Sequence, residues 1–130
     1  MSAQKRIQPL FQLDNKVAIV TGASKGIGEA MARGLAEFGA KVVISSRKRE
    51  SVDAVAKSFQ NDGLEAIAIA ANMGNVEEAH ALVDQTVDAY GGIDIIINNA
   101  AANPVFGPIQ NTEERAFDKI LDVNLKGPFE

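Results

Sequence analysis

The 130-residue chain contains no cysteine, one histidine, one tyrosine and four prolines. A disulfide framework, a Cys-based zinc site and a thiol nucleophile are therefore excluded. Basic surplus is lacking too: 13 Lys and Arg face 17 Asp and Glu, for a net charge of -4. That balance argues against a general nucleic-acid binder, which neutralises phosphates with excess cations. No apolar run approaches the ~18 residues of a membrane span, and Met1-Ser2-Ala3-Gln4-Lys5-Arg6 is not followed by an apolar leader core. A cytoplasmic location is the expectation. What remains is ordinary globular composition, 46% hydrophobic and 23% charged, in a length that suits one core.

Apolar residues fall into two alternating kinds of segment. Val17–Val20, Val42–Ile44, Ala66–Ile69 and Ile95–Ile97 are short and continuously apolar, as parallel strands covered on both faces require. Helical spacing separates them. Ile27, Met31, Leu35 and Phe38 mark one helix, stopped by Gly39, and Val52, Val55, Ala56 and Phe59 a second, ending before Gly63. A third opens at Asn75 with Glu78 three residues on, and carries Ala79, Leu82, Val83, Thr86, Val87 and Tyr90 into Gly91-Gly92. A fourth begins near Thr112, where Glu113 and Glu114 suit the positive dipole end, and carries Phe117, Ile120, Leu121 and Leu125 to the chain end.

This rhythm predicts an α/β fold, a Rossmann-type doubly wound parallel sheet with helices on both faces. It is incomplete: four strands and their helices are present and the C-terminal strands are missing. Residues 1–13 read as a loosely packed lead-in, and 14–130 as the N-terminal part of one dinucleotide-binding domain. Ile95-Ile96-Ile97 is too apolar for an open edge, so something should pair with it. Either the chain is part of a longer protein or another polypeptide completes the sheet.

The first strand runs through Thr21-Gly22-Ala23-Ser24-Lys25-Gly26-Ile27-Gly28 directly into a helix. Glycines there permit a tight turn, close backbone approach by a phosphate and tight helix–strand packing. The free N–H groups of the helix start suit a pyrophosphate. A tight turn with no ligand is the plainer alternative.

Thr-Gly-x-x-x-Gly-x-Gly resembles the cofactor loop of the short-chain dehydrogenase/reductase family. Asn98-Asn99-Ala100-Ala101 is similar to that family's Asn-Asn-Ala-Gly, and Asp122-Val123-Asn124-Leu125-Lys126-Gly127 to the helix segment bearing its catalytic asparagine. The resemblance extends from about Leu13 onward. It implies an oxidoreductase that moves hydride between an alcohol and a ketone or aldehyde, a small-molecule substrate, and a homo-oligomer assembled through the helix begun at Thr112 and the one after it.

The resemblance directs the cofactor-binding roles to Gly22, Ser24, Lys25, Gly26, Ile27, Gly28, Ser46, Arg47, Asn72, Met73, Asn99 and Ala100. NADP(H) is expected over NAD(H) on electrostatic grounds. Ser46 lies 18 residues after Gly28, close to the ~20 at which a carboxylate would hold an NAD ribose. Serine does not repel a 2′-phosphate, Arg47 offers it a planar fork, and Lys25 resembles the second cation of NADP-preferring relatives. The alternative for Arg47, and the preferred reading of Lys48 and Arg49, is a solvated run before a helix.

Two positions depart from the family pattern. Asn72 stands where an aspartate commonly accepts from the adenine amino group, and its amide oxygen accepts without the charge. Ala101 replaces a glycine. For Asn98 and Asn99 the expected role is adenine-ribose contact and support of the sheet end, with turn formation as the alternative.

Asn124 is the catalytic candidate. Its spacing after Phe117, Ile120 and Leu121 points an amide into an apolar face, where it costs stability unless paired. Either it bonds neighbouring backbone or, by resemblance, it holds a water in the proton relay to a catalytic lysine. The family's serine and its Tyr-x-x-x-Lys pair are absent: Tyr90 is followed four residues later by Asp94, and no serine follows Ser58. Tyr90 thus reads as a helix-end packing residue, and His80, beside Glu77, Glu78 and Asp84, as part of a solvated face. By itself the 130-residue chain should be inactive. A non-catalytic dinucleotide-binding or regulatory module, or a subunit completed by a partner chain, are the rival readings.

Overall fold

A computed structural model describes residues 7–130. Its four strands form one parallel sheet, β1 (Val17–Thr21), β2 (Lys41–Ser46), β3 (Ala66–Ala70) and β4 (Ile95–Ile97), in the order β3-β2-β1-β4. Four helices follow them: α1 (Gly26–Glu37), α2 (Arg49–Asn61), α3 (Val76–Tyr90) and α4 (Glu114–Leu121). The reversal of direction, from β1 toward β3 and then back to β4, opens a crevice beyond the C-terminal strand ends, the usual ligand position in such sheets.

Strand alternation splits the core into two layers. Ala18, Val20, Val42, Ile44 and Ala66 pack against α1 and α2 with Val52, Ala56 and Phe59. Ile19, Val43 and Ile69 face the other way, against Ala79 and Leu82 of α3. This two-sided burial is why β1 and β2 read as unbroken apolar runs. The helix caps follow local chemistry: the Asn75 side chain accepts from the Glu78 N–H at 3.1 Å, and Gly91 closes α3 in the left-handed region.

Three expectations change. In α1 the buried stripe is Gly28, Ala32 and Ala36, while Ile27 is 76% exposed and Phe38 is exposed as well. Small side chains let this helix lie close on the sheet, so Ile27 and Phe38 point outward, while Leu35 packs half-buried against the core. The fourth helical segment does not run as one α-helix. It passes at Asp122 into a π-helical turn, Asp122–Lys126, and ends in Gly127–Phe129. Its apolar residues Phe117, Leu121 and Leu125 are exposed among the described residues, and so is Asn124, so the burying face expected around that amide is absent.

Leu13 packs against the core and donates its N–H to Phe38 O at 2.7 Å, whereas Leu10 and Phe11 are exposed. β4 pairs only with β1 among the described residues, leaving Ile96 53% exposed. No helix of the described residues is long and apolar enough to cross a membrane.

Candidate functional site

A cleft of about 830 Å3 lies across the C-terminal ends of the strands. Gly22, Ser24, Lys25, Gly26, Ile27 and Gly28 line it from the turn between β1 and α1, and Ser46 and Arg47 from the end of β2. Asn72 and Met73 after β3, and Asn99 and Ala100 after β4, complete the wall. Every cofactor-binding candidate from the sequence is thus in one cavity, while Asn124 lies outside its wall.

The glycine turn is held by close contacts. A Cβ on Gly28 would collide with the carbonyl oxygen of Gly22 and come within 2.5 Å of Asn99 Nδ2. Gly22 adopts φ +63°, and a side chain there would press on Asn99 and Ala100. Lys25 precedes α1 in extended conformation and makes no side-chain cap, so the first N–H groups of the helix face the turn without a side-chain acceptor.

Thr21, whose role no local spacing discloses, ties this turn to the end of β4. Its hydroxyl accepts from the N–H of Asn99 at 3.2 Å and of Ala100 at 3.0 Å, and donates to Ile97 O. Asn99 returns the tie: Nδ2 donates to Thr21 O at 3.1 Å and Gly22 O at 3.0 Å. Its donor group is therefore spent on the sheet end. Asn98 is exposed. Ala101 is exposed outside the left-handed region, so its Cβ meets no backbone penalty.

Asn72 Oδ1 accepts from Gly74 N–H at 2.9 Å, which folds the loop after β3 and leaves one lone pair of that oxygen. Lys25 and Arg47 are exposed and make no ion pair among the described residues, unlike Arg49, which pairs with Asp53 at 3.3 Å. Lys48, at the N-cap of α2, also lines the cleft, as do Lys119, Val123 and Ser45. Sequence spacing missed Lys119 and Val123 because α4 and the π turn after it reach the cleft only through the tertiary fold.

Asn124 bridges two segments. Its Oδ1 accepts from Ala102 N–H at 2.8 Å, and its Nδ2 donates to Ala102 O at 2.9 Å. Gly127 sets the other side of this turn: a Cβ there would collide with Met73 O. The π turn therefore rests on the loops after both β3 and β4. Tyr90 is half-buried at the end of α3, and burial, with Glu65 secondary, pushes its phenol up to about 12. His80 Nε2 lies 3.3 Å from Glu130 Oε2 on the exposed face of α3.

A cleft across the strand ends, a glycine cradle, a helix N-terminus and two cations with no ion pair among the described residues fit a dinucleotide carrying several phosphates. Comparison with known proteins agrees. The family model described as "short chain dehydrogenase" matches residues 16–130. The human protein "Dehydrogenase/reductase SDR family member 4" is 47% identical over 116 residues, 89% of this chain and 42% of the relative. The human "Dehydrogenase/reductase SDR family member 2, mitochondrial" is 44% identical over 116 residues, again 89% of this chain and 41% of the relative. The chain thus spans less than half the length of these curated relatives. Among solved structures, a metagenomic short-chain oxidoreductase in complex with NADP superposes with a TM-score of 0.85 at 36% identity, over 90% of this chain and 53% of that one. A gluconate 5-dehydrogenase from Burkholderia cenocepacia, in complex with NADP and tartrate, gives a TM-score of 0.85 at 34% identity, over 95% and 48%. The motifs, the sheet order and these matches agree, and the chain belongs to the short chain dehydrogenase family.

Proposed function

We propose that residues 14–130 form the dinucleotide-seating part of an NADP(H)-dependent oxidoreductase that interconverts alcohols and ketones or aldehydes. The carrying observation is one cleft that presents the glycine turn, Ser46 and the exposed Lys25 and Arg47 together. The first N–H groups of α1 hold the diphosphate, helped by the close approach that Gly22, Gly26 and Gly28 allow. Lys25 and Arg47 take the 2′-phosphate, while Ser46 adds a hydroxyl without repulsion. Asn72 keeps a lone pair for the adenine amino group, and Ser24, Ile27, Met73, Asn99 and Ala100 shape the walls. The bound cofactor supplies hydride chemistry.

Asn124 holds a relay water. Its bonds to Ala102 use one N–H and one lone pair, leaving one of each. These 130 residues hold no serine after Ser58 to orient a carbonyl and no Tyr-x-x-x-Lys acid–base pair, so the chain alone turns over no substrate. The working assembly is a cytoplasmic homo-oligomer. The exposed Ile96 edge supports a second reading, a subunit whose sheet is extended by a partner chain. Co-purification of a polypeptide carrying Tyr-x-x-x-Lys favours that version.

Calorimetric titration of the intact protein with NADP and with NAD tests the main reading. Charge-assisted hydrogen bonds at ~1.5–3 kcal/mol predict about a ten- to hundredfold preference for NADP. Ser46→Asp combined with Arg47→Ala should remove it. Tighter NAD binding by the unmodified protein refutes the assignment of Lys25 and Arg47.

A further inference from the structure

Gly127 is the only buried residue between 101 and 130, and it sits in right-handed helical backbone, φ -55° and ψ -52°. That conformation suits any ordinary residue, and glycine holds it less well than alanine. The reason for glycine is therefore proximity: a Cβ at 127 would collide with Met73 O, a backbone atom that no rotamer can withdraw. Gly74 faces the same contact from the other side, where a Cβ would lie 3.0 Å from Val123 Cγ2. Two missing side chains thus let the π turn lie close against the loop after β3.

The other end of the turn is tied to a different loop. Asn124 holds both backbone groups of Ala102, in the loop after β4. β3 and β4 are the outer strands of the described sheet, three strand spacings or roughly 14 Å apart. Met73, Ala102 and Val123 all line the cleft. The π turn is therefore a strap joining two cleft loops that the sheet itself holds apart, and turns of this kind recur at functional sites. We propose that Gly127 is a positioning residue for cofactor binding: by seating the strap on Met73 it sets the gap between the two loops, so that occupancy of the loop after β3 steadies Asn124 on Ala102. Gly127 is not part of the cleft wall and acts only through Met73 and Asn124. The inference rests on the dinucleotide reading above, because the ligand must press on the loop of Asn72 and Met73.

Hydrogen exchange at the Ala102 amide is the readout, because a Cβ on Gly127 would meet Met73 and Asp122 rather than Ala102. It is measured on the intact protein with and without adenosine 2′,5′-bisphosphate, whose affinity is titrated alongside. In the unmodified protein the bound bisphosphate should slow that exchange about fivefold or more, the lower range of coupling between sites. By reciprocity, Gly127→Ala should abolish the slowing and bind the bisphosphate about fivefold more weakly. Gly74→Ala, a milder wedge in the same interface, should reduce both effects and decides the matter if Gly127→Ala fails to fold. Ala102 exchange that ignores bound bisphosphate in the unmodified protein overturns the proposal. So do variants that lose thermal stability yet keep the full slowing and affinity, which would leave Gly127 a packing role only. An unmodified protein that does not bind the bisphosphate overturns the dinucleotide reading itself, a result separable from binding without a response at Ala102.

Discussion

Gly28 is a residue whose missing side chain matters twice. Its Cα lies against the carbonyl of Gly22 and the amide of Asn99, so a methyl group there must displace backbone. Gly28→Ala should cost about 1–3 kcal/mol, as overpacking typically does, and lower the urea midpoint of the chain. An unchanged midpoint would show that the turn is looser than its contacts imply. Tyr90 illustrates a different residue effect. Burial, and then Glu65, hold its phenol neutral up to about 12 instead of 10.0. The raised value means that the stability linked to the neutral phenol is fully present below pH 10 and is lost as pH rises through 12. With a single tyrosine and no tryptophan in the chain, phenolate absorbance should report a midpoint near 12 in the folded protein. Ionisation at the ordinary value before unfolding would refute that burial. The glycine turn was legible from residue spacing because its demands are local. The demand for glycine at 127 was not, since its backbone is ordinary helix and only Met73 excludes a side chain there.

At the scale of elements, α2 matched its apolar spacing residue for residue, with Val52, Val55, Ala56 and Phe59 all buried. For α1 the same reasoning chose the large residues and missed the stripe Gly28, Ala32 and Ala36 that meets the sheet. Hydrophobicity ranks side chains by size, whereas close helix–sheet approach selects small ones, so the pattern misled where the packing distance is shortest. The end of α4 differs for another reason. Periodicity carried an α-helix through Asn124, but the π turn there is set by Ala102, 22 residues from Asn124, and by Met73, which lies against Gly127. Two hydrogen bonds hold Asn124 to Ala102. Asn124→Ala removes both, and at ~0.5–1.5 kcal/mol for each bond, discounted for exposure, it should destabilise the π turn by about 1–2 kcal/mol. Hydrogen exchange at the Ala102 amide should quicken accordingly. Unaltered exchange would mean that the Gly127–Met73 approach alone holds the segment.

For the molecule as a whole, order along the sheet decides where chemistry is possible. The chain winds outward from β1 to β3 and returns to β4, so loops distant in sequence converge on one cleft. The same topology leaves β4 at an edge with Ile96 exposed. An open apolar edge is a template for pairing, and the 130-residue chain in isolation should associate as its concentration rises. Ile96→Lys should suppress that association in sedimentation experiments. Identical behaviour of the two chains would place the sticky surface elsewhere, for instance on the exposed Phe117 and Leu121 of α4.

Amino-acid order alone determined the strand–helix alternation, the glycine turn and the basic residues beside it, because each depends on periodicity, backbone freedom or charge within a few neighbouring residues. Tertiary structure decided which face of α1 is buried, that Thr21 and Asn99 lock two loops together, that Asn124 bonds Ala102, and that no side chain fits between Gly127 and Met73. These properties are set by distances between segments far apart along the chain, and only the folded sheet brings them within hydrogen-bond reach.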